Sequence, residues 1–143
     1  MKVIQLSVFL ENRAGRLYEL CELLGRNKLN IRALTIAESP EFGIVRLVVD
    51  KSDEAAALLK KSGFVANVAD IVAVEVSDQP GGLAGVLKVL NEAGQNIEYM
   101  YGFVERSSEK ALLVFRFDDP DGAIAILQKN GIGVVGSKDI ESL

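Results

Sequence analysis

The chain is written twice, and that duplication constrains its fold more than any other feature. Laying Gly15-Arg16-Leu17 on Gly81-Gly82-Leu83 gives an offset of 66 (81 minus 15). Leu6, Val8 and Leu10 then fall on Val72, Val74 and Val76, and Leu17, Leu20, Cys21 and Leu24 on Leu83, Val86, Leu87 and Leu90. Asn30-Ile31 falls on Asn96-Ile97. Further along the offset becomes 68, so that Ala55, Ala56, Leu58 and Leu59 meet Ala123, Ile124, Ile126 and Leu127. Few residues are identical, but the apolar pattern and the glycine punctuation run through both copies. The expected division is residues 1–68 and 69–143.

Each copy carries the same order of elements. Ile4, Leu6, Val8 and Leu10 alternate with Gln5, Ser7 and Phe9, the period of a strand. Leu17, Leu20, Cys21 and Leu24 then recur at i, i+3, i+4 and i+7, one face of a helix. Strands follow over 29–37 and 43–49, then a helix over 54–61 with Ser52 and Asp53 as its expected cap, then a strand over 64–67. In the second copy the expected strands cover 71–76, 96–105, 110–117 and 132–135. Its helices cover 82–93 and 120–130, the latter capped by Asp119 with Pro120 at its first position. The order β-α-β-β-α-β, twice, predicts an α+β fold: two ferredoxin-like repeats, each an antiparallel sheet with its helices on one face. A copy of about 70 residues makes only a marginal core alone. The two are therefore expected to pack together, by sheet edges or by helices.

Composition excludes several chemistries. The 143 residues include no histidine and a single cysteine, so a Ser-His-Asp triad, a Cys-His pair, a histidine-ligated metal and an intrachain disulfide are all impossible. With 20 acidic and 16 basic residues the net charge is -4, which argues against nucleic acid as a partner. No apolar run reaches the ~18 residues of a membrane span, and the first residues lack the anatomy of a signal peptide. A cytoplasmic protein without membrane contact is expected.

Three tempting motifs dissolve on inspection. Gly131-Ile132-Gly133-Val134-Val135-Gly136 matches G-x-G-x-x-G, but only seven residues follow, too few for the helix a dinucleotide site requires. Tyr101-Gly102-Phe103-Val104 echoes an RNA-binding motif but lies on the second strand of its copy rather than the third. Tyr99, Tyr101 and Phe103 are expected instead to line one strand face against the other copy or a second subunit. Asp118, Asp119 and Asp121 form an acidic cluster that helix capping explains. Cys21 aligns with Leu87 at a core-facing position and reads as structural. No catalytic constellation, metal site or cofactor site emerges.

The informative segment is the first strand-to-helix loop. It reads Glu11-Asn12-Arg13-Ala14-Gly15-Arg16-Leu17 in copy one and Ser77-Asp78-Gln79-Pro80-Gly81-Gly82-Leu83 in copy two. Glycine lets backbone approach a bound molecule. The helix start offers unpaired N–H groups suited to a carboxylate. An Asn or Asp at the loop start can cap the helix or take a ligand amino group. Arg13 and Arg16 make the first loop cationic, so the two sites are expected to differ, the first favouring an anionic group.

At this loop the sequence resembles the ACT domain family, small-molecule sensing modules usually attached to amino-acid metabolism. Asp78-x-Pro80-Gly81-x-Leu83 is close to that family's D-x-P-G-x-L signature, and Asn12-x-Ala14-Gly15-x-Leu17 is a variant of it. The Asn-Ile pairs at 30–31 and 96–97 are also family-like, and the resemblance covers essentially the whole chain. It implies a non-catalytic regulatory module that binds a small effector, most often an amino acid, where the loop of one domain faces the second strand of another. Asn30, Ile31, Asn96 and Ile97 would then help to line the sites. It further implies a metabolic enzyme as possible partner, while the apolar balance and the small copies make a homodimer the expected assembly. Two alternatives stand beside it: a regulatory subunit like the small subunit of acetohydroxyacid synthase, and an interaction module without ligand.

Overall fold

The computed structural model describes residues 1–107 and 110–143. The elements follow the duplicated order: β1 (Val3–Glu11), α1 (Arg16–Arg26), β2 (Ile31–Glu38), β3 (Phe42–Val49), α2 (Ser52–Lys61), β4 (Val65–Ser77), α3 (Gly82–Glu92), β5 (Ile97–Ser107), β6 (Lys110–Phe117), α4 (Pro120–Lys129), β7 (Val134–Val135) and α5 (Ser137–Glu141). The alternating apolar residues form the strands and the i, i+3, i+4 sets form the helices, as expected.

The strands make two antiparallel sheets of equivalent order. The first runs β4-β1-β3-β2 and the second β7-β4-β6-β5. β4 belongs to both. Its first half pairs with β1, from Phe9↔Val65 to Val3↔Ile71, and its second half with β6, from Val72↔Phe115 to Ser77↔Lys110. The two strands expected over 64–67 and 71–76 are thus one strand of 13 residues, and the boundary expected between 68 and 69 falls inside it. The short step expected between them, residues 67–70, stays in the ladder with β1, with Ser7↔Asn67 and Ile4↔Asp70 paired.

Each repeat covers the outer face of its sheet with its own helices. In repeat one Leu6, Val8, Leu10, Leu20, Leu24, Val45, Leu47 and Leu59 form a buried cluster. Val72, Val74, Val86, Leu90, Phe115, Phe117 and Leu127 are its counterpart in repeat two. Each such side chain contributes roughly 1.5–3 kcal/mol by leaving water. A third cluster lies between the sheets, where Val3, Ala33 and Val48 meet Ala73, Tyr101, Leu112, Val114 and Val135. The repeats therefore join through their helix-free sheet faces, through the shared β4, and at one edge contact, Ala33↔Phe103 between β2 and β5. Of the helices only the short α5 enters the cluster between the repeats, through Ile140; helix packing is otherwise not part of it. Tyr101 does line the face turned to the other copy.

This middle layer holds a polar bridge. Gln5 is fully buried; its Nε2 donates to Tyr99 Oη at 2.7 Å and to Ser7 Oγ at 3.2 Å, and its Oε1 accepts from Tyr101 Oη at 2.6 Å. The Arg46 guanidinium lies over the Tyr99 ring at 4.1 Å. Burial pushes the Tyr101 hydroxyl well above the ordinary tyrosine range, with the neighbouring Tyr99 adding to the rise.

Three local expectations are corrected. α2 begins at Ser52, and neither Ser52 nor Asp53 caps it; the capping position is Lys51, which makes no side-chain cap. Asp53 and Glu54 lie inside the first turn, where their charge suits the helix dipole. The last strand shrinks to two residues, because the chain turns into α5, which sequence periodicity did not signal. Ile140 of α5 is buried in the middle cluster, and Glu141 C=O accepts from Nη2 of the buried Arg32 at 3.1 Å. Asp119 caps α4 as expected, accepting from Gly122 N–H at 3.1 Å.

Candidate functional site

The two signature loops have the same backbone and different chemistry. Gly15 and Gly81 sit at the helix capping positions in the left-handed region, φ 92° and 85°, which other residues reach only with strain. Being glycines, they offer no side chain to cap α1 or α3; the first N–H of each helix donates instead to a loop carbonyl, Arg16 N–H to Arg13 O at 3.4 Å and Gly82 N–H to Gln79 O at 2.9 Å.

In repeat one the loop opens on a hollow of about 150 Å³. Asn12, Arg13, Arg16 and Leu17 form one wall, and Leu10, Glu11, Ile36, Glu38 and Gly43 the rest. Asn12 does not cap. Its Nδ2 donates to the Ser39 and Pro40 carbonyls at 3.3 and 3.4 Å, and its N–H to Glu41 O at 3.2 Å. These bonds hold the loop against the β2–β3 turn and so shape the hollow.

Arg16 is the distinctive side chain. It is only 18% exposed. Its guanidinium lies 4.7 Å over the Phe64 ring, and Nη1 bonds Glu19 at 2.6 Å. Its buried Nε has no hydrogen-bond partner; Glu11 Oε1 stands 4.0 Å away. A buried charged donor left without an acceptor is costly. Nearby, Arg13 pairs with Glu11 at 3.2 Å on the surface. The lining of the hollow thus combines cationic Arg13 and Arg16, anionic Glu11 and Glu38, and apolar Leu10, Leu17 and Ile36.

Repeat two replaces most of this. Gly82 stands where Arg16 stands, Ile132 where Phe64 stands, and Ser77 where Glu11 stands. A Cβ placed on Gly82 would lie 1.9 Å from the Ser77 carbonyl oxygen, so the helix start is packed onto the strand end with no room for any side chain. Asp78, Gln79, Pro80 and Gly81 are exposed, Gly82 and Leu83 half-buried. Leu83 packs against the second helix-side cluster.

The Asn-Ile pairs stand elsewhere. Asn30 and Ile31 lie at the start of β2, whereas the hollow is lined by Ile36 and Glu38 near its end. Asn30 N–H donates to Asp50 Oδ1, and Ile31 packs against the first core. Asn96 is exposed at the start of β5, and Ile97 packs against the second core. Within one repeat, then, these residues are not brought to their own loop. Sequence reasoning missed Ile36, Glu38 and Gly43, which approach the loop only through the β1–β3–β2 ladder; the one local hint is an exposed isoleucine in an alternating strand.

The remaining sequence candidates are structural. Cys21 is half-buried, and burial raises its thiol pKa. Asp121 pairs with Lys2 at 3.3 Å. Among the described residues no group of three Cys, Asp or Glu side chains is placed to hold a metal ion, and no helix is long and apolar enough to cross a membrane.

A family model described as an ACT domain pair matches residues 1–143. The chain belongs to that family of tandem regulatory domains. Protein BT0572 from Bacteroides thetaiotaomicron is similar over the whole of this chain and 98% of its own, with 38% identity and a TM-score of 0.93. The ligand-free regulatory subunit of aspartate kinase from Thermus thermophilus shares the fold, at 16% identity and a TM-score of 0.62 over 88% of this chain and 90% of its own. The regulatory subunit from Thermus flavus does so at 15% identity and a TM-score of 0.59 over the same shares. No curated protein matches in sequence.

Proposed function

We propose that this ACT domain pair binds a small amino-acid effector in the hollow beside the repeat-one loop and regulates a partner without doing covalent chemistry itself. The observation that carries the reading is Arg16: a largely buried guanidinium in the wall of the hollow, fixed by Phe64 and Glu19, whose buried Nε has no hydrogen-bond acceptor. A ligand carboxylate pairs with the Arg16 guanidinium and with the positive end of the α1 dipole. The ligand ammonium takes Glu11 and Glu38, and a short aliphatic side chain takes Leu10, Leu17 and Ile36. Residues Asn12, Ala14 and Gly15 shape the site rather than contact charge.

The loop of repeat two, with Asp78 and without a base, forms a second and weaker site. Asn30, Ile31, Asn96 and Ile97 contribute only to sites completed by another domain. Regulation follows from linkage: a ligand that binds one arrangement of the repeats better shifts the population toward it. The fold shared with regulatory subunits of aspartate kinase supports an enzyme of cytoplasmic amino-acid metabolism as the partner.

The test is a thermal-shift screen against the twenty amino acids, with calorimetric titration of each hit. A ligand at about 100 times its dissociation constant adds roughly 2.7 kcal/mol. A selective shift that Arg16→Met abolishes supports the reading. No shift with any amino acid rejects it in favour of an interaction module without such a ligand.

A further inference from the structure

The duplication leaves one element without a counterpart. At the offset of 68, residues 137–143 align with 69–75, where the chain of repeat one continues along β4 into the next sheet. Repeat two instead leaves its sheet after Val135 and turns through Gly136 into α5. This helix has five residues and no side-chain cap at its start. Its own backbone bonds are long, 3.2 Å from Ile140 N–H to Gly136 O and 3.3 Å from Ser142 N–H to Lys138 O. A helix so short does not hold itself in water, so its contacts with the rest of the chain decide whether it is formed.

Those contacts reach across to repeat one, and they are few. Ile140 is fully buried in the middle cluster, which holds Val3, Ala33 and Val48 of repeat one, and Leu143 packs against that cluster. Among the described residues a single side-chain hydrogen bond ties the rest of the chain to α5, from Arg32 Nη2 to the Glu141 carbonyl at 3.1 Å. Alongside, Ser137, Ile140 and Glu141 form one wall of a polar hollow of about 200 Å³, and Lys2, Val49, Asp50 and Ser52 stand in the other. On that side α5 is not packed onto repeat one.

Arg32 is an uneven latch. It sits where the β2–β3 register shifts, between Ile31 and Ala33. It is 9% exposed, and its buried Nε has no acceptor. Docking α5 therefore sets two effects against each other. Ile140 gains by leaving water, while the guanidinium gives up water for one hydrogen bond. We infer that α5 is a reversible strap, which undocks from repeat one as a unit while both sheets stay folded, with Arg32 as the side chain that keeps closure from being permanent. In the open form the middle cluster is bare at this end and the Arg32 guanidinium reaches water. The seam between the repeats then has two states for regulation to choose between. The strap shares no residue with the hollow beside the repeat-one loop, so the inference stands apart from the effector reading.

Native-state hydrogen exchange of the full chain, over a series of low urea concentrations, tests it. The Ile140 and Ser142 amides should exchange on the order of 100-fold or more faster than the β4 amides bonded to β6, and with little dependence on urea. Arg32→Met keeps an apolar stem and removes the charge. It should slow exchange in α5 about 10-fold, because closure then hides no guanidinium. Ile140→Ala removes the gain that closes the strap and should speed exchange there about 10-fold or more. The inference fails if the α5 amides exchange together with those of β4 and with the same steep urea dependence, since α5 then opens only when the whole chain unfolds. It fails equally if they show no protection at all, or if Arg32→Met speeds them up, which would make Arg32 a plain anchor.

Discussion

The two repeats share a backbone plan and diverge at three equivalent places. At the loop, repeat one holds Arg16 over Phe64 where repeat two has Gly82 and Ile132. At the second helix start, Lys51 and Asp119 have nearly the same dihedral angles, φ -131°, ψ 77° and φ -129°, ψ 78°, but only Asp119 caps. At the bare end of the sheet, Phe9 and Phe42 stand against the ion-paired Glu75 and Lys110. Backbone geometry is fixed by glycines, turns and core, and it persists through the duplication. Side chains at the periphery are free to diverge, and there repeat one has become the half with unsatisfied donors and uncovered apolar surface.

The largest effects should be equal in the two halves. Leu24 and Leu90 are equivalent and fully buried, so Leu24→Ala and Leu90→Ala should each cost about 3 kcal/mol in urea unfolding, in one cooperative transition. Two separated transitions would show that the repeats do not share a core. The next effect is one-sided. Gly82→Ala forces a Cβ into the Ser77 carbonyl and should cost about 2 kcal/mol, whereas Arg16→Ala leaves the fold within about 1 kcal/mol.

On the binding side, Arg16→Met should weaken the effector roughly 10-fold or more, and Gln79→Ala, a change in the loop of repeat two, less than about 2-fold. Calorimetric titration decides; equal losses would remove the asymmetry between the loops. The smallest effects concern the caps. Asp119→Ala should cost about 1 kcal/mol, and Lys51→Asp should add about as much, because the same backbone awaits the same carboxylate.

The polar bridge gives a pH test. The Tyr101 hydroxyl has a raised pKa in the folded state, so the unfolded chain ionises first as pH climbs past the ordinary tyrosine value. Its contribution is intact below about pH 10 and is lost above it, by at most about 1.4 kcal/mol per pH unit. Tyr101→Phe should flatten that slope while leaving Gln5 Oε1 without its donor at neutral pH.

The order of elements was legible because both copies state it with the same apolar pattern. The site's loop was legible because its glycines must adopt left-handed angles, and the family signature sits on them. The joining of the sheets was not. Val3, Gln5, Ser7 and Phe9 mix polar and apolar types, which reads like a solvent face, although Gln5 is fully buried by partners 94 and 96 residues away. The strands expected over 64–67 and 71–76 leave a gap of three residues that the ladder with β1 runs through. Ile36 and Glu38 reach the hollow only through strand pairing, which no local window contains.

The strand common to both sheets has a consequence for how the molecule can be made. Repeat one cannot complete its sheet without residues 65–71, and those residues run directly into the first strand of repeat two. Its inner face also lacks Tyr101, Val114 and Ile140 until nearly the last residue has been synthesised. During translation the first half therefore waits on the ribosome with an open apolar surface, and a truncated chain keeps that surface permanently. Removing the last seven residues should accordingly damage solubility out of proportion to their number, although they touch neither loop.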